Sequence, residues 1–211
     1  MITDRYYYSQ LSAREQKVYA LLYKGVVSLE KKIAVSGAVS QKSINRIYQA
    51  LSDDNPNLYY FNQSRMDVAR SALGMVFMPQ YFCTQDQIET YNGRINDIVN
   101  RLVSDMDLLN VDDAEKEKRI HDYMCANVEY DKEGVSADAK VNRLIASHSI
   151  IGVFARGRGV CEGISKAAKL LFNTVNMGCI YVSGISRKSE QGPHAWNLIK
   201  VNGKAYHLDL T

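Results

Sequence analysis

The sequence predicts an α+β protein in which a helix carrying a cysteine packs on an antiparallel sheet, with a helical N-terminal region ahead of it. Three observations predict this. Apolar residues recur at helical spacing through several early stretches. Asn202-Gly203 stands between two alternating runs, HAWNLIKV and KAYHLDLT, a strong short-range hairpin signal. GRGVCEGISKAAKLLFN, residues 157–173, sets Cys161 between a glycine-rich turn and an amphipathic helix.

Taken in order, Ser12-Ala13-Arg14-Glu15 has capping-box spacing, and Val18, Tyr19, Leu22, Val26 and Leu29 follow at helical intervals. A second helix carries Ile44, Ile47, Tyr48 and Leu51 on one face and stops at Asp53-Asp54-Asn55-Pro56. LYYF (58–61) and MVFMPQYF (75–82) read as strands, interrupted by Gly74 and Pro79. A third helix runs from about Thr84, with Ile88, Tyr91, Ile95, Ile98 and Leu102 spaced for burial. A fourth opens at Asp112, with Glu115 three residues on, and reaches about Asn127. From Tyr130 to Val160 the pattern is less regular, and IIGVF (150–154) fits either a short buried strand or a helical turn. The Cys161 helix is expected to end near Asn176, with Gly178 as its cap, and CIYVSGI is a strand. The expected organisation is a helical N-terminal region (1–56), a connecting region of strand and helix (57–111) and a core (112–211).

The 211 residues are 46% hydrophobic and 23% charged, as in ordinary globular proteins. The net charge of +3 is small, and the longest charged run, DDAEKEKR, mixes both signs. That argues against nucleic acid as a partner. No run approaches the roughly 18 apolar residues of a membrane span. MITDRYYYSQ lacks the pattern of a signal peptide. Cys83, Cys125, Cys161 and Cys179 are far apart without CxxC spacing, against a zinc knuckle and in keeping with a reducing compartment. A cytoplasmic location is favoured, an extracellular one if a signal precedes the chain. DMDLLNVDDAE resembles a calcium loop, yet Asn110 stands where the loop needs glycine, and the bidentate Glu is missing. No metal site or cofactor is expected.

If Asn202 and Gly203 form a type I′ turn, Val201 pairs with Lys204. Continued back, that register sets Trp196 opposite Asp209 and His194 opposite Thr211. His194, Trp196, His207 and Asp209 then share a face, with Asp209 the diagonal neighbour of His194. A carboxylate there can accept the imidazole N–H and fix its tautomer. The first turn of a helix meanwhile favours a thiolate at Cys161.

Gly-Val-Cys-Glu-Gly opening a helix, His-Ala-Trp-Asn on a strand and Tyr-His-Leu-Asp-Leu-Thr on the next resemble the transglutaminase-like superfamily across residues 112–211. The N-terminal helices look similar to the accessory region before such domains in some bacterial proteins. The resemblance implies a papain-like core, with Cys161 as nucleophile, His194 as base and Asp209 as its orienter. Two features depart from the family pattern. Gly163-Ile164-Ser165 replaces the common Gly-Tyr-Ala, and the chain stops at Thr211, where relatives continue with Trp and further strands, so the core is expected to be truncated there.

Trp196 reads as packing beside the site or as a substrate-stacking residue. Glu162 suits the helix dipole, with substrate contact as its other reading. His207 reads as a supporting residue, His148 as structural or as a donor into the site, and Cys83, Cys125 and Cys179 as buried thiols. The expected function is acyl transfer at amide bonds of a peptide or protein substrate, as peptidase, deamidase or transglutaminase, with hydrolysis favoured over cross-linking. The alternative is a non-catalytic peptide- or protein-binding module that retains the fold.

Overall fold

In the computed structural model, residues 5–135, 141–185 and 192–211 are described. They fall into two compact units, Arg5–Glu89 and Thr90–Thr211.

The first unit begins with α1 (Tyr6–Ser9) and α2 (Ala13–Val27). The Ser12 side chain accepts from Glu15 N–H while the Glu15 carboxylate accepts from Ser12 N–H, forming the capping box that the spacing predicts. Leu29 lies past the helix with φ 55°, so the apolar periodicity overran the helix end. β1 (Ile33–Ser36) follows, a strand that helical periodicity did not reveal. Its alternation buries Ile33 and Val35 and exposes Ala34 and Ser36. α3 (Gln41–Asp54) buries Ile44, Ile47 and Leu51. Asp54 is fully buried, and its carboxylate accepts from the Tyr7 and Tyr8 N–H groups in the first turn of α1.

LYYF is not the first strand of the hairpin. Pro56–Leu58 forms a 3₁₀ turn, and β2 (Phe61–Ser71) begins at the last residue of that motif and continues through a largely polar stretch. β3 (Gly74–Tyr81) is central in an antiparallel sheet of order β1-β3-β2. Leu22, Ile47 and Phe77 are at most 1% exposed, and each such burial contributes about 1.5–3 kcal/mol.

α4 (Gln85–Asp105) carries Ile95, Val99 and Leu102 as buried residues of the second unit. α5 (Asp113–Asn127) is capped by Asp112, whose carboxylate accepts from Glu115 N–H. β4 (Glu129–Tyr130), α6 (Val141–Ser147), α7 (Ile150–Arg156) and β5 (Arg158–Gly159) precede α8 (Cys161–Thr174). IIGVF is thus helical, capped by the Ser149 side chain, and Ile150, Ile151 and Val153 are at most 5% exposed. β6 (Cys179–Ile185), β7 (Pro193–Val201) and β8 (Lys204–Leu208) form an antiparallel sheet in that order. α8 ends at Thr174, and Asn176, not Gly178, takes the left-handed conformation beyond it (φ 60°).

The turn between β7 and β8 has Asn202 at φ 49° and Gly203 at φ 81°, as a type I′ turn requires. Val201 pairs with Lys204, and the ladder runs back to Asn197 opposite Leu208. It ends there, so Asp209 lies just beyond the strand. Ala195, Asn197 and Ile199 on β7 and Cys179 and Tyr181 on β6 are buried on the face that α8 covers. His194, Trp196 and Leu198 occupy the other face, half-buried. Among the described residues no helix is long and apolar enough to cross a membrane.

Candidate active site

Cys161 is the first residue of α8, half-buried, after a glycine-rich approach. Gly157 caps α7 in the left-handed conformation (φ 65°), which glycine adopts without steric cost. Gly163 is required for a different reason: a Cβ there would lie 2.3 Å from the Ser147 carbonyl oxygen. The first turn of α8 is therefore pressed directly onto backbone.

Two contacts align α8 with the sheet. Asn197 Nδ2 donates to the Ser165 carbonyl at 2.9 Å, and Lys169 Nζ, fully buried, donates to the Cys179 carbonyl at 2.8 Å. Cys179 pairs with Ile199, so α8 and β7 run in the same direction. Four residues back from Ser165 is about 6 Å of helix rise, or about two strand residues. Cys161 thus stands at the level of Ala195, beside the His194 end of β7.

His194 Nε2 lies 2.8 Å from Asp209 Oδ2. The other carboxylate oxygen, Oδ1, accepts from Thr211 N–H at 3.2 Å and from Thr211 Oγ1 at 2.8 Å. Partial burial pushes the Asp209 carboxyl up, but the hydrogen bonds from His194 and Thr211 outweigh it and hold the group below its ordinary range. An ionised Asp209 makes Nε2 the protonated nitrogen of a neutral His194 and leaves Nδ1 as the basic one. Among the described residues no hydrogen bond joins Cys161 to His194.

The contact that Cys161 does make is with Tyr130, a residue that the sequence reading did not single out. Tyr130 pairs with Gly159 in the short parallel β4–β5 ladder, two residues before Cys161. Its hydroxyl interacts with both the Cys161 thiol and the Cys161 backbone N–H. Burial, then the neighbouring Cys161, raises the Tyr130 hydroxyl above its ordinary range, so it stays protonated and able to donate. Behind it, Asp131 N–H donates to the Gly159 carbonyl at 2.9 Å, and the Asp131 carboxylate accepts from Ser147 Oγ at 2.5 Å and from Arg143. This network fixes β4 against the approach to α8.

Glu162 is half-buried and doubly paired. Its carboxylate accepts from His148 Nδ1 at 2.9 Å and from buried Lys166 at 2.6 Å. Burial alone would raise its carboxyl, but the Lys166 charge and both hydrogen bonds hold it at about 2. Trp196 stacks on His194, ring centroids 5.9 Å apart, and its indole N–H donates to His207 Nδ1 at 2.9 Å. Of the other thiols only Cys179 is buried: Cys83 is half-buried and Cys125 exposed, the latter on the outer face of α5. Among the described residues no group of three or more His, Cys, Asp or Glu side chains is arranged to hold a metal.

The sequence profile of the transglutaminase-like superfamily matches residues 100–210, just over half of the chain. The chain belongs to that superfamily. Similar solved structures are a TGase (16% identity, TM-score 0.49, covering 85% of this chain and 50% of that one) and a "putative cysteine protease" from Cytophaga hutchinsonii (13%, 0.43, 70% and 61%). A third is a "putative protease" from Parabacteroides distasonis (10%, 0.38, 70% and 36%). The chain therefore spans less than two thirds of the length of each. No curated protein matches it.

Proposed function

We propose that the chain performs cysteine-dependent acyl transfer at amide bonds of a peptide or protein, with Cys161 as nucleophile, His194 as base and Asp209 as orienter. The observation that carries this reading is the His194–Asp209 hydrogen bond of 2.8 Å at the same end of the sheet as the helix start bearing Cys161. The Asp209 contact holds the imidazole in one tautomer, and its Nδ1 takes the thiol proton. The thiolate attacks the amide carbonyl carbon, and negative charge develops on the carbonyl oxygen. The Tyr130 hydroxyl, which faces the thiol, and the Cys161 N–H, which faces that hydroxyl, would turn to that oxygen as its two donors. The C–N bond breaks as His194 returns the proton to the departing nitrogen, leaving a thioester. Water, deprotonated by His194, then releases the acid; an amine in its place gives a new amide.

Hydrolysis is the favoured outcome, because the half-buried, partly open site admits water. Incubating the protein with a glutamine-containing peptide library, with and without a primary amine, tests this. Mass changes from cleavage or deamidation in both samples support hydrolysis, and amine adducts support cross-linking. No change in either, with the folded protein, argues against the enzyme.

One observation favours the second reading, a non-catalytic peptide-binding module. His194 projects from the sheet face opposite α8, and Cys161 interacts with Tyr130 rather than with the imidazole. On that reading a peptide binds without turnover, and replacing Cys161 leaves its affinity unchanged.

A further inference from the structure

The outer face of the β6–β7–β8 sheet carries a built arrangement around the only tryptophan of the chain. The Trp196 indole is held on three sides. One face stacks on His194, with an interplanar angle of 22°. Its six-membered edge covers Gly184, where a Cβ would lie 3.1 Å from Cη2 and 3.4 Å from Cζ3. Gly184 is itself the ladder partner of His194, so the bare backbone leaves room for the ring beside the imidazole. The third hold is the indole N–H, which donates to His207 Nδ1 at 2.9 Å across the β7–β8 pair.

Indole N–H is a donor only. His207 Nδ1 must therefore present its lone pair, and the ring proton sits on Nε2. Protonating His207 turns Nδ1 into a second donor, which opposes the Trp196 N–H and ends the bond. The groups that face His207 from its neighbours do not replace that acceptor. Leu198 stands opposite it and Lys200 diagonal to it on β7, while Ala205 and Asp209 flank it on β8. The Asp209 carboxylate is occupied by His194 and Thr211. β6 presents Ile180, Val182 and Gly184 on this face and no charge.

We propose that His207 is a positioning residue: neutral, it pins Trp196 against the His194 ring, and protonated, it releases Trp196 and loosens the imidazole. The consequence for turnover rests on the acyl-transfer reading above; the positioning itself does not. His207 touches no reacting atom and acts through Trp196 alone. Protonation of His207 thereby couples the Trp196 contact, and through it the His194 ring, to pH.

The single tryptophan gives a direct readout. Its emission is followed from pH 8 to pH 5 in the wild type and in His207→Gln, His207→Ala and His194→Ala. The wild type is expected to show quenching as the pH falls, because imidazolium quenches indole. In His207→Gln, whose amide oxygen accepts the indole N–H at every pH, the His207 step disappears; in His194→Ala it persists. In turnover, His207→Ala is expected to lower kcat about five- to tenfold with KM little changed, the loss of one hydrogen bond. His207→Gln is expected to restore most of kcat and to flatten its acid limb. An emission profile in His207→Gln that matches the wild type overturns the proposal, as does loss of all pH dependence in His194→Ala. These emission results decide the positioning even if no turnover is found, whereas absent turnover with the expected emission changes would count against the acyl-transfer reading alone.

Discussion

Asp209 holds His194 with one oxygen and Thr211 with the other, so one carboxylate ties the imidazole to the chain beyond β8. Replacing Asp209 with Asn keeps the shape but supplies an amide in place of the acceptor. By analogy with serine triads, Asp209→Asn is expected to lower kcat by roughly 10⁴-fold. Thr211→Val, which removes one hydroxyl donor to the carboxylate, is expected to cost about tenfold or less. Steady-state kinetics on both variants checks the order. A Thr211→Val loss as large as that of Asp209→Asn would show that Thr211 does more than orient the carboxylate.

Tyr130→Phe removes a hydroxyl and leaves the ring. As an oxyanion donor, that hydroxyl is expected to be worth about 10²- to 10³-fold in kcat, with little change in stability. A variant with wild-type kcat would take Tyr130 out of the chemistry and leave it as a packing residue.

Gly163→Ala would drive a methyl group into the Ser147 carbonyl, at 2.3 Å in the unrelaxed structure. The contact is with backbone, so it is not relieved by a rotamer change. A loss of about 1–3 kcal/mol is expected from urea unfolding, as for overpacking elsewhere. By contrast, Gly203→Ala at the hairpin tip meets no atom within 4 Å, and its cost comes only from φ 81°.

The carboxylates behind the site set an acid limit. Glu162 is held at about 2, and Asp131 is held still lower, chiefly by hydrogen bonds from Arg143 and Ser147. Both folded values lie below those of the unfolded chain, so each group stabilises the fold above its unfolded value. That stabilisation is lost as the pH falls through about 4 towards 2. Urea midpoints should therefore drop steeply between about pH 4 and 2. Glu162→Gln, less stable at pH 7, should show a shallower drop; an equally steep one would mean that Glu162 is not part of the acid limit.

Much of the hairpin was legible in the sequence because Asn202-Gly203 is a local device: the turn type dictates the register, and the register brings Asp209 to His194. Capping at Ser12 and Asp112 was legible for the same reason, since side chain and N–H lie three residues apart. What escaped notice depends on distant partners. β1 is four residues long and is a strand because β3 lies beside it. β2 is polar over much of its length and carries little β-favouring signal of its own. Tyr130 meets Cys161 through a ladder whose partners lie 29 positions apart in the chain, and no spacing rule points to it.

The most direct test of the central claim is the order in which the free cysteines react. Cys125 is exposed and Cys161 only half-buried, so accessibility alone favours Cys125. The protein is treated at neutral pH with iodoacetamide below stoichiometry, and the modified residue is located by peptide mass spectrometry. A nucleophile at the helix start, served by His194, predicts that label reaches Cys161 first and that this preference is lost in His194→Ala. Labelling of Cys125 ahead of Cys161, or an unchanged Cys161 rate in His194→Ala, would contradict it.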